Sequence, residues 1–320
     1  MNRRNFLALA VSASAATKLP PMGWQDDNTI PIIDTHIHLF DTTRPQGVPW
    51  PTKNDGILYQ PAFPDRYRKI ASPLGVVGAI VVEASPWLED NQWVLDVAAK
   101  DNIIVGTVGN LEPGQPDFRK QLERFQRNPL FRGIRNGNLW ARDVAQQLAN
   151  PRFVSDLRYL AQAGLTLDAA NPNPTLLTSL VGITDQVPDL RVIIDHLPQM
   201  TPPQATSARK ATEADLQQLG QRPQVYVKIS EVLRQVDGTI PRALSFYRAR
   251  LDELFGLFGE DRLLYGSDWP NSDRWLPFEV GLGLVREYFQ AKGRTVAEKY
   301  FWKNSVAAYH WQKRDASQPE

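Results

Sequence analysis

The chain carries near its N-terminus the stretch Ile32-Ile33-Asp34-Thr35-His36-Ile37-His38. The apolar start of this stretch predicts a buried strand, and its two histidines lie two positions apart. Side chains alternate between the two faces of a strand, so His36 and His38 face the same way and can share one metal ion or one substrate oxygen. A chance His-x-His pair in a turn is the alternative interpretation.

Seven further apolar runs follow this first one, and the segments between them show amphipathic helical spacing. The eight runs are residues 32–35, 79–82, 103–108, 131–134, 165–167, 192–194, 225–229 and 263–265. Strands that alternate with helices predict a parallel α/β sheet, and eight repeats favour closure into a single (β/α)8 TIM barrel over residues 28–312. The alternative is an open doubly wound sheet, which would gather its ligands near one switch point.

Polar or ionisable residues follow most of these runs, where the active sites of barrel enzymes lie. They are His36, His38, Glu83, Asn110, Glu112, Arg135, Asp168, Asn171, Asp195, His196, Lys228, Ser230, Ser267 and Asp268. Three long segments, 41–64, 197–215 and 269–279, also follow a run and are expected to stand over the same face as long loops. This distribution favours the barrel, because several different strands contribute to the site.

The bulk composition is that of an ordinary globular protein of 320 residues, with 42% hydrophobic and 22% charged residues. Lys and Arg number 36 against 35 acidic residues, without a long basic block, so we expect a small-molecule substrate rather than a nucleic acid. Cysteine is absent, so any metal must be held by nitrogen and oxygen ligands. The composition carries no signal for an oligomeric state.

The N-terminus resembles a twin-arginine export signal. Arg3 and Arg4 precede an apolar run of small residues at 7–16, and Ala13-Ser14-Ala15 is similar to a signal cleavage site. We therefore predict a signal segment at residues 1–20, export to the periplasm and, because the run is too short to span a bilayer, no stable membrane insertion. A cytoplasmic protein with a peripheral N-terminal helix is the alternative.

Five motifs resemble the amidohydrolase superfamily, in particular its amidohydrolase-related branch of sugar lactonases, dicarboxylate lactonases and related decarboxylases. They are Ile33 to His38, Gly133-Ile134-Arg135, Ile194-Asp195-His196, Val227-Lys228-Ile229-Ser230 and Leu264-Tyr265-Gly266-Ser267-Asp268-Trp269-Pro270. They occur in the order of that superfamily and span nearly the whole chain after the leader. The resemblance implies a TIM barrel and a hydrolytic centre.

In that superfamily the first-strand histidines and the eighth-strand aspartate surround the hydrolytic centre, which implies this role for His36, His38 and Asp268. A carboxylate beside a metal or an imidazole pair can take a proton from water and return it to the leaving oxygen, so Asp268 is the predicted general acid and base. Capping of the next turn is the alternative role of this aspartate.

The chain departs from the two-metal members of the superfamily. Arg135 and Asp168 stand near the positions where those members carry a bridging lysine and a histidine. We therefore expect either one divalent ion, with zinc as the first choice, or no metal. The predicted ligands are His36, His38 and Asp268, with Glu83 or His196 completing the shell.

Two of these residues have alternative roles. Glu83 follows a strand and is a possible ligand, or it closes a salt bridge between strands. His196 ends an apolar run and is predicted to be catalytic, by polarising substrate or orienting water, or it is a satisfied core histidine. His310, near the C-terminus, is interpreted as structural.

Three cations are predicted to bind substrate at the mouth, namely Arg135, Lys228 and Arg234, the last with an ordinary surface charge as an equal alternative. A cation there can grip a carboxylate or stabilise an oxyanion. Four aromatic residues of the long loops are candidates for stacking on a sugar-like ring, or they pin their loops. They are Trp50, Tyr59, Trp87 and Trp269.

These features favour a hydrolase that opens a cyclic ester, a sugar-acid or muconate-type lactone, by water activated at Asp268. Two alternatives stay open at this point. One is metal-dependent non-oxidative decarboxylation of an aromatic or unsaturated acid, for which relatives use almost the same residues. The other is an exported binding barrel without catalytic activity.

Overall fold

The computed structural model describes residues 29–320 and contains eight parallel strands in one sheet, ordered as in the sequence. The strands are β1 Ile32–Ile37, β2 Val76–Val82, β3 Ile104–Gly109, β4 Phe131–Gly137, β5 Thr166–Ala170, β6 Arg191–Ile194, β7 Val225–Ile229 and β8 Leu263–Tyr265. Each of the eight apolar runs overlaps one of these strands. The predicted (β/α)8 barrel is thus confirmed, and the open doubly wound sheet is excluded.

Helices connect the strands and cover the outside of the barrel. They are α1 Pro64–Ala71, α2 Asp90–Lys100, α3 Phe118–Phe125, α4 Val144–Leu148, α5 Pro151–Gln162, α6 Pro174–Gln186, α7 Thr206–Gly220, α8 Leu244–Phe258, α9 Phe278–Ala291, α10 Arg294–Glu298 and α11 Asn304–Tyr309. Their buried faces pack on the outward side chains of the strands in one large apolar core. α3 illustrates the pattern, because it buries Phe118, Leu122 and Phe125 at helical spacing.

The barrel closes between β1 and the segment that follows β8. The Asp268 amide donates to the His36 carbonyl at 2.8 Å, and the His38 amide donates to the Trp269 carbonyl at 2.7 Å. These bonds continue the parallel ladder past the end of β8, as the bridge between Ile37 and Trp269 also shows. The closure therefore joins the backbones of the two chain segments on which the predicted chemistry rests.

A second, smaller core fills the inside of the barrel. Ile33, Ile80, Val105 and Leu264 belong to it, and the C-terminal residues Tyr309 and Trp311 pack against the same cluster. The Tyr309 hydroxyl donates to Oδ2 of Asp168 at 2.6 Å, so α11 contacts the buried polar residues of the barrel interior. The C-terminal end of the chain thus supports the floor of the site.

The loops at the carboxyl ends of the strands follow the prediction with one difference. α7 begins at Thr206, so the irregular part of the segment 197–215 is shorter than expected. The predicted signal segment at 1–20 lies outside the described residues and stays a prediction. Within residues 29–320, none of the helices is both long and apolar enough to cross a membrane.

Candidate active site

Three imidazoles surround one carboxylate oxygen at the carboxyl ends of β1, β6 and β8. Oδ1 of Asp268 lies 3.1 Å from Nε2 of His38, 3.4 Å from Nε2 of His36 and 3.7 Å from Nε2 of His196. All four side chains are buried, with His38 and His196 the most exposed at 5% each. The structure thus brings together the four residues that the sequence analysis placed at the centre.

The hydrogen bond on the far side of the His38 ring fixes where its lone pair points, whereas the partner of His196 is a hydroxyl group that can donate or accept. Nδ1 of His38 lies 2.9 Å from the Val82 carbonyl, which only accepts, so this nitrogen carries the hydrogen. Nδ1 of His196 lies 2.8 Å from Oγ of Ser230. When His38 is neutral, its Nε2 lone pair therefore faces the oxygen of Asp268, and a proton or a cation is needed between them.

This arrangement fits a divalent cation. Nε2 of His36 is buried without a hydrogen-bond partner and faces the same oxygen. Ligand atoms about 2.1 Å from a tetrahedral ion are about 3.4 Å apart, which is close to the observed spacings. His36, His38 and Asp268 form one group of ligand atoms that could hold an ion, and His196 joins Asp268 and Glu231 in a second.

Glu83 is not part of these groups, which corrects its prediction as a metal ligand. Its carboxylate accepts from Nε1 of Trp140 at 3.2 Å and from the Ser85 amide at 2.9 Å. It also lies 3.8 Å from Nη1 of Arg135. The alternative interpretation, a carboxylate that closes a salt bridge between strands, describes its position better, because Glu83 follows β2 and Arg135 lies on β4.

Lys228 lies beneath the site rather than at the mouth, which corrects its prediction as a substrate-binding residue. Its side chain is 0% exposed, and Nζ lies 2.7 Å from Asp168 and 2.9 Å from Asp195. Nζ also lies 3.2 Å from Nδ1 of His36. Between two carboxylates and an imidazole, this ammonium group neutralises buried charge and holds the His36 ring from below.

The pocket above the cluster has a volume of about 270 Å³. It is lined by His38, Trp50, Glu83, Ala84, Arg135, Trp140, Asn171, His196, Glu231, Asp268, Asn271 and Arg274. Arg135 is thus placed where the sequence analysis expected it, and its Nε donates to Asp195 at 2.9 Å. Trp50 also reaches the pocket, with its ring 5.4 Å from that of His38.

Three predicted substrate-binding residues do not line this pocket, which corrects their assignment. Trp269 is 0% exposed and packs against Tyr67 with ring centroids 5.2 Å apart. The Arg234 guanidinium donates to the Pro198 carbonyl and borders a different cavity. Tyr59 is half-buried in the loop before α1. Trp87 is 40% exposed and likewise lies outside the lining.

Four lining residues with polar or aromatic side chains were not named in the sequence analysis, namely Trp140, Glu231, Asn271 and Arg274. Glu231 directly follows Ser230, and Asn271 follows Asp268 by three positions. Both could therefore have been included among the polar residues that follow the apolar runs. Trp140 comes after Asn136-Gly137-Asn138, whose composition is typical of a turn. The side-chain direction of a loop residue depends on tertiary contacts that spacing does not reveal.

Burial sets the charge states of the histidines. It holds the pKa of His36 well below its ordinary value, an effect that the Lys228 charge strengthens. Burial also lowers the pKa of His196 to about 4. Both rings are therefore neutral at pH 7, the form that binds a metal ion through a lone pair.

The pKa values of Asp268 and Glu231 are shifted in opposite directions. Burial raises the pKa of Glu231 well above its usual range, and the neighbouring Asp268 charge raises it further. Burial also tends to raise the pKa of Asp268, but interactions with His196 and His38 outweigh it and hold that pKa well below the usual range. A proton shared by this pair therefore resides on Glu231, and Asp268 is the ionised member.

Comparison with known proteins gives a consistent result. The sequence profile of a family described as amidohydrolase matches residues 33–311. An L-fucono-1,5-lactonase of Burkholderia ambifaria is 29% identical over 248 residues, which cover 75% of this chain and 80% of that protein. A second L-fucono-1,5-lactonase, of Burkholderia multivorans, is 22% identical over 293 residues, covering 86% and 94%.

A solved structure is similar in fold. The crystal structure of an amidohydrolase from Burkholderia multivorans with bound zinc superposes with a TM-score of 0.77 at 20% identity, and the match covers 88% of this chain and 100% of that chain.

Proposed function

Because this chain belongs to the amidohydrolase family, we propose that it hydrolyses a lactone, with a cyclic ester of a sugar acid as the preferred substrate. The observation that carries the proposal is the convergence of three imidazoles on Oδ1 of Asp268 at the floor of a pocket. The lactonase names of two relatives support the same reaction. Decarboxylation has less support, and binding alone does not require this set of proton-transfer groups.

The residues at the floor account for the steps of ester hydrolysis. Asp268 accepts a proton from water as the water oxygen attacks the lactone carbonyl carbon. His196 and Arg135 stand at the pocket wall and stabilise the negative charge that develops on the carbonyl oxygen. The bond to the ring oxygen then breaks, Asp268 returns the proton to that oxygen, and the product is a hydroxy acid.

We further propose that one divalent ion, with zinc as the preferred metal, belongs to this site. His36, His38 and Asp268 would hold it, with His196 in reach, and these nitrogen and oxygen ligands suit zinc. When bound, the ion would polarise the carbonyl group and lower the pKa of water. Lys228 keeps His36 in place from below, and Val82 does the same for His38.

The charge of the pocket favours a neutral lactone over a dicarboxylate. Its lining includes the carboxyl groups of Glu83, Glu231 and Asp268. The two lining cations are already paired, Arg135 with Asp195 and Arg274 with Asp55. A substrate with additional carboxylates would face the Asp268 charge beside cations that already have carboxylate partners, whereas the hydroxyl groups of a sugar lactone can bind to these acceptors.

A panel of lactones tests the proposal. The protein, assayed with a pH indicator, should release acid fastest from hydroxylated five- or six-membered lactones and more slowly from lactones that carry carboxylates. Aromatic carboxylic acids in parallel assays should yield no carbon dioxide. Carbon dioxide release without lactone hydrolysis would favour the decarboxylase, and ligand binding without turnover would favour the binding barrel.

We also propose that the protein is exported through its twin-arginine-type N-terminus. Arg3 and Arg4 ahead of the apolar run at 7–16 support this proposal. Cell fractionation should find a shortened chain in the periplasm, and full-length protein confined to the cytoplasm would reject export.

A further inference from the structure

Glu231 has an unusual backbone conformation at the edge of the pocket. It follows β7 by two residues with a φ of 48°, in the left-handed region that costs free energy for residues other than glycine. Four other lining residues share this feature, namely Trp140, Asn171, His196 and Asp268. Among the described residues, non-glycine positions of this kind thus concentrate at the pocket, which is typical of functional sites.

The contacts of Glu231 go to other residues of the pocket. Nδ2 of Asn271 donates to Oε1 of Glu231 at 2.8 Å and to Oδ2 of Asp268 at 2.6 Å. One amide group therefore links the two carboxyl groups. A half-buried carboxyl in a strained position is costly, and these contacts serve the site rather than the packing of the barrel.

Glu231, His196 and Asp268 together could also hold a metal ion. A second metal ion is nevertheless a poor explanation for the position of Glu231. The amide N–H groups of Asn271 already bind one oxygen of each of these two carboxyl groups, those of Glu231 and Asp268. A cation held by those two oxygens would face the amide hydrogens. A substrate hydroxyl group has no such conflict, because it can donate to a carboxyl oxygen and accept from an N–H group.

We propose that Glu231 contacts the substrate and recognises a hydroxyl group on the lactone ring. This hydroxyl group lies next to the carbonyl group that is attacked by the water activated at Asp268. This inference rests on the proposed lactonase function and adds a residue that determines specificity. The position of Glu231 beside Asp268 and His196 places the recognised hydroxyl close to the reacting carbon. The preferred ring therefore carries a hydroxyl group near its carbonyl, as a sugar lactone does.

The test compares two six-membered lactones that differ in their hydroxyl groups: the best sugar 1,5-lactone of the panel and δ-valerolactone, whose ring carries none. Glu231→Gly removes the side chain at a φ where glycine is unstrained, so the variant should fold. We expect kcat/KM to fall roughly 10- to 100-fold on the sugar lactone, the range for a buried hydrogen-bonding group that loses its partner, and to fall much less on δ-valerolactone.

Two further variants sharpen the comparison. Glu231→Gln keeps the size and one accepting oxygen, so its loss on the sugar lactone should be smaller than that of Glu231→Gly. Gln235→Ala changes an exposed residue of the same loop and should behave as the wild type on both lactones.

The outcomes separate this inference from the proposed function. Equal losses of Glu231→Gly on both lactones would mean that Glu231 acts only by positioning Asp268 through Asn271, and would overturn the inference. No loss on either lactone would overturn it as well. A wild-type protein that hydrolyses neither lactone would instead reject the proposed function, and the inference with it.

Discussion

Nε2 of His38 lies 3.1 Å from Oδ1 of Asp268, while Nδ1 of the same ring is bound to the Val82 carbonyl at 2.9 Å. In a neutral His38 ring, the hydrogen bond to Val82 leaves a lone pair directed at a carboxylate oxygen. Two acceptors at this distance repel each other unless a positive group lies between them. The pair is therefore arranged for a cation or for a transferable proton, and both are means of activating water.

Removal of metal should lower both activity and stability. We expect chelated protein to lose most of its lactonase activity and to recover it on addition of zinc. Zinc should also raise the melting temperature, because an ion that binds only the folded chain at 100 times its Kd adds about 2.7 kcal/mol. Elemental analysis and thermal unfolding measure these effects, and full activity of a verified metal-free preparation would refute the metal proposal.

A histidine variant tests whether the metal binds where the structure suggests. His38→Ala should weaken zinc binding at least tenfold in a calorimetric titration, because it removes one of the ligands. His310→Ala is the matched control, since His310 is exposed and contributes to none of the candidate metal groups of the described residues. Equal zinc affinity of the two variants would place the ion elsewhere.

Lys228 should be important for stability. Its ammonium group is fully buried between Asp168 and Asp195, and removing one partner from a buried ion pair costs about 3–5 kcal/mol. We expect Lys228→Met to lower the free energy of unfolding in urea by this amount. Lys69→Met is a control with a 77% exposed side chain, and it should change stability by less than about 1 kcal/mol.

If Lys228→Met had wild-type stability, the three charges beneath the site would not form the network that the structure shows.

The stability of the protein should fall in mild acid through His196. Burial lowers the pKa of His196 from 6.5 to about 4 in the folded chain. Between these values the unfolded chain takes up a proton that the folded chain excludes, so the free energy of unfolding decreases as the pH falls from 6.5 towards 4. The contribution of this one group is on the order of 3 kcal/mol across that range.

The variant His196→Asn lacks this group. Its free energy of unfolding should therefore depend less steeply on pH between 6.5 and 4 than that of the wild type. Urea denaturation at several pH values measures the difference, and identical slopes would contradict the low pKa of His196.

The fold could be predicted from the sequence, because the apolar runs mark the eight strands and the carboxyl ends of parallel strands meet at one face. Periodicity placed many polar residues at that face, and the resemblance to the amidohydrolase superfamily singled out His36, His38 and Asp268 among them.

The sequence could not predict how deep a strand-end side chain lies in the barrel, or where the side chain of a loop residue points. Lys228 and Arg135 both end apolar runs, yet one lies beneath the histidines and the other lines the pocket. Their difference depends on how the strands are staggered around the barrel. Glu231 and Trp140 lie in loops with left-handed backbone positions, and their side-chain directions depend on contacts such as Asn271 and Glu83.

The central claim is that Asp268 transfers the proton in ring opening. The most direct measurement is the initial rate of acid release from the best sugar lactone for the wild type, for Asp268→Asn and for the control Asp273→Asn, whose carboxylate pairs with Arg66 away from the pocket lining. We predict that Asp268→Asn keeps the circular dichroism spectrum of the wild type and loses about 100- to 10,000-fold in kcat, while Asp273→Asn stays near the wild type. A folded Asp268→Asn variant that turns over the lactone at the wild-type rate would contradict the claim.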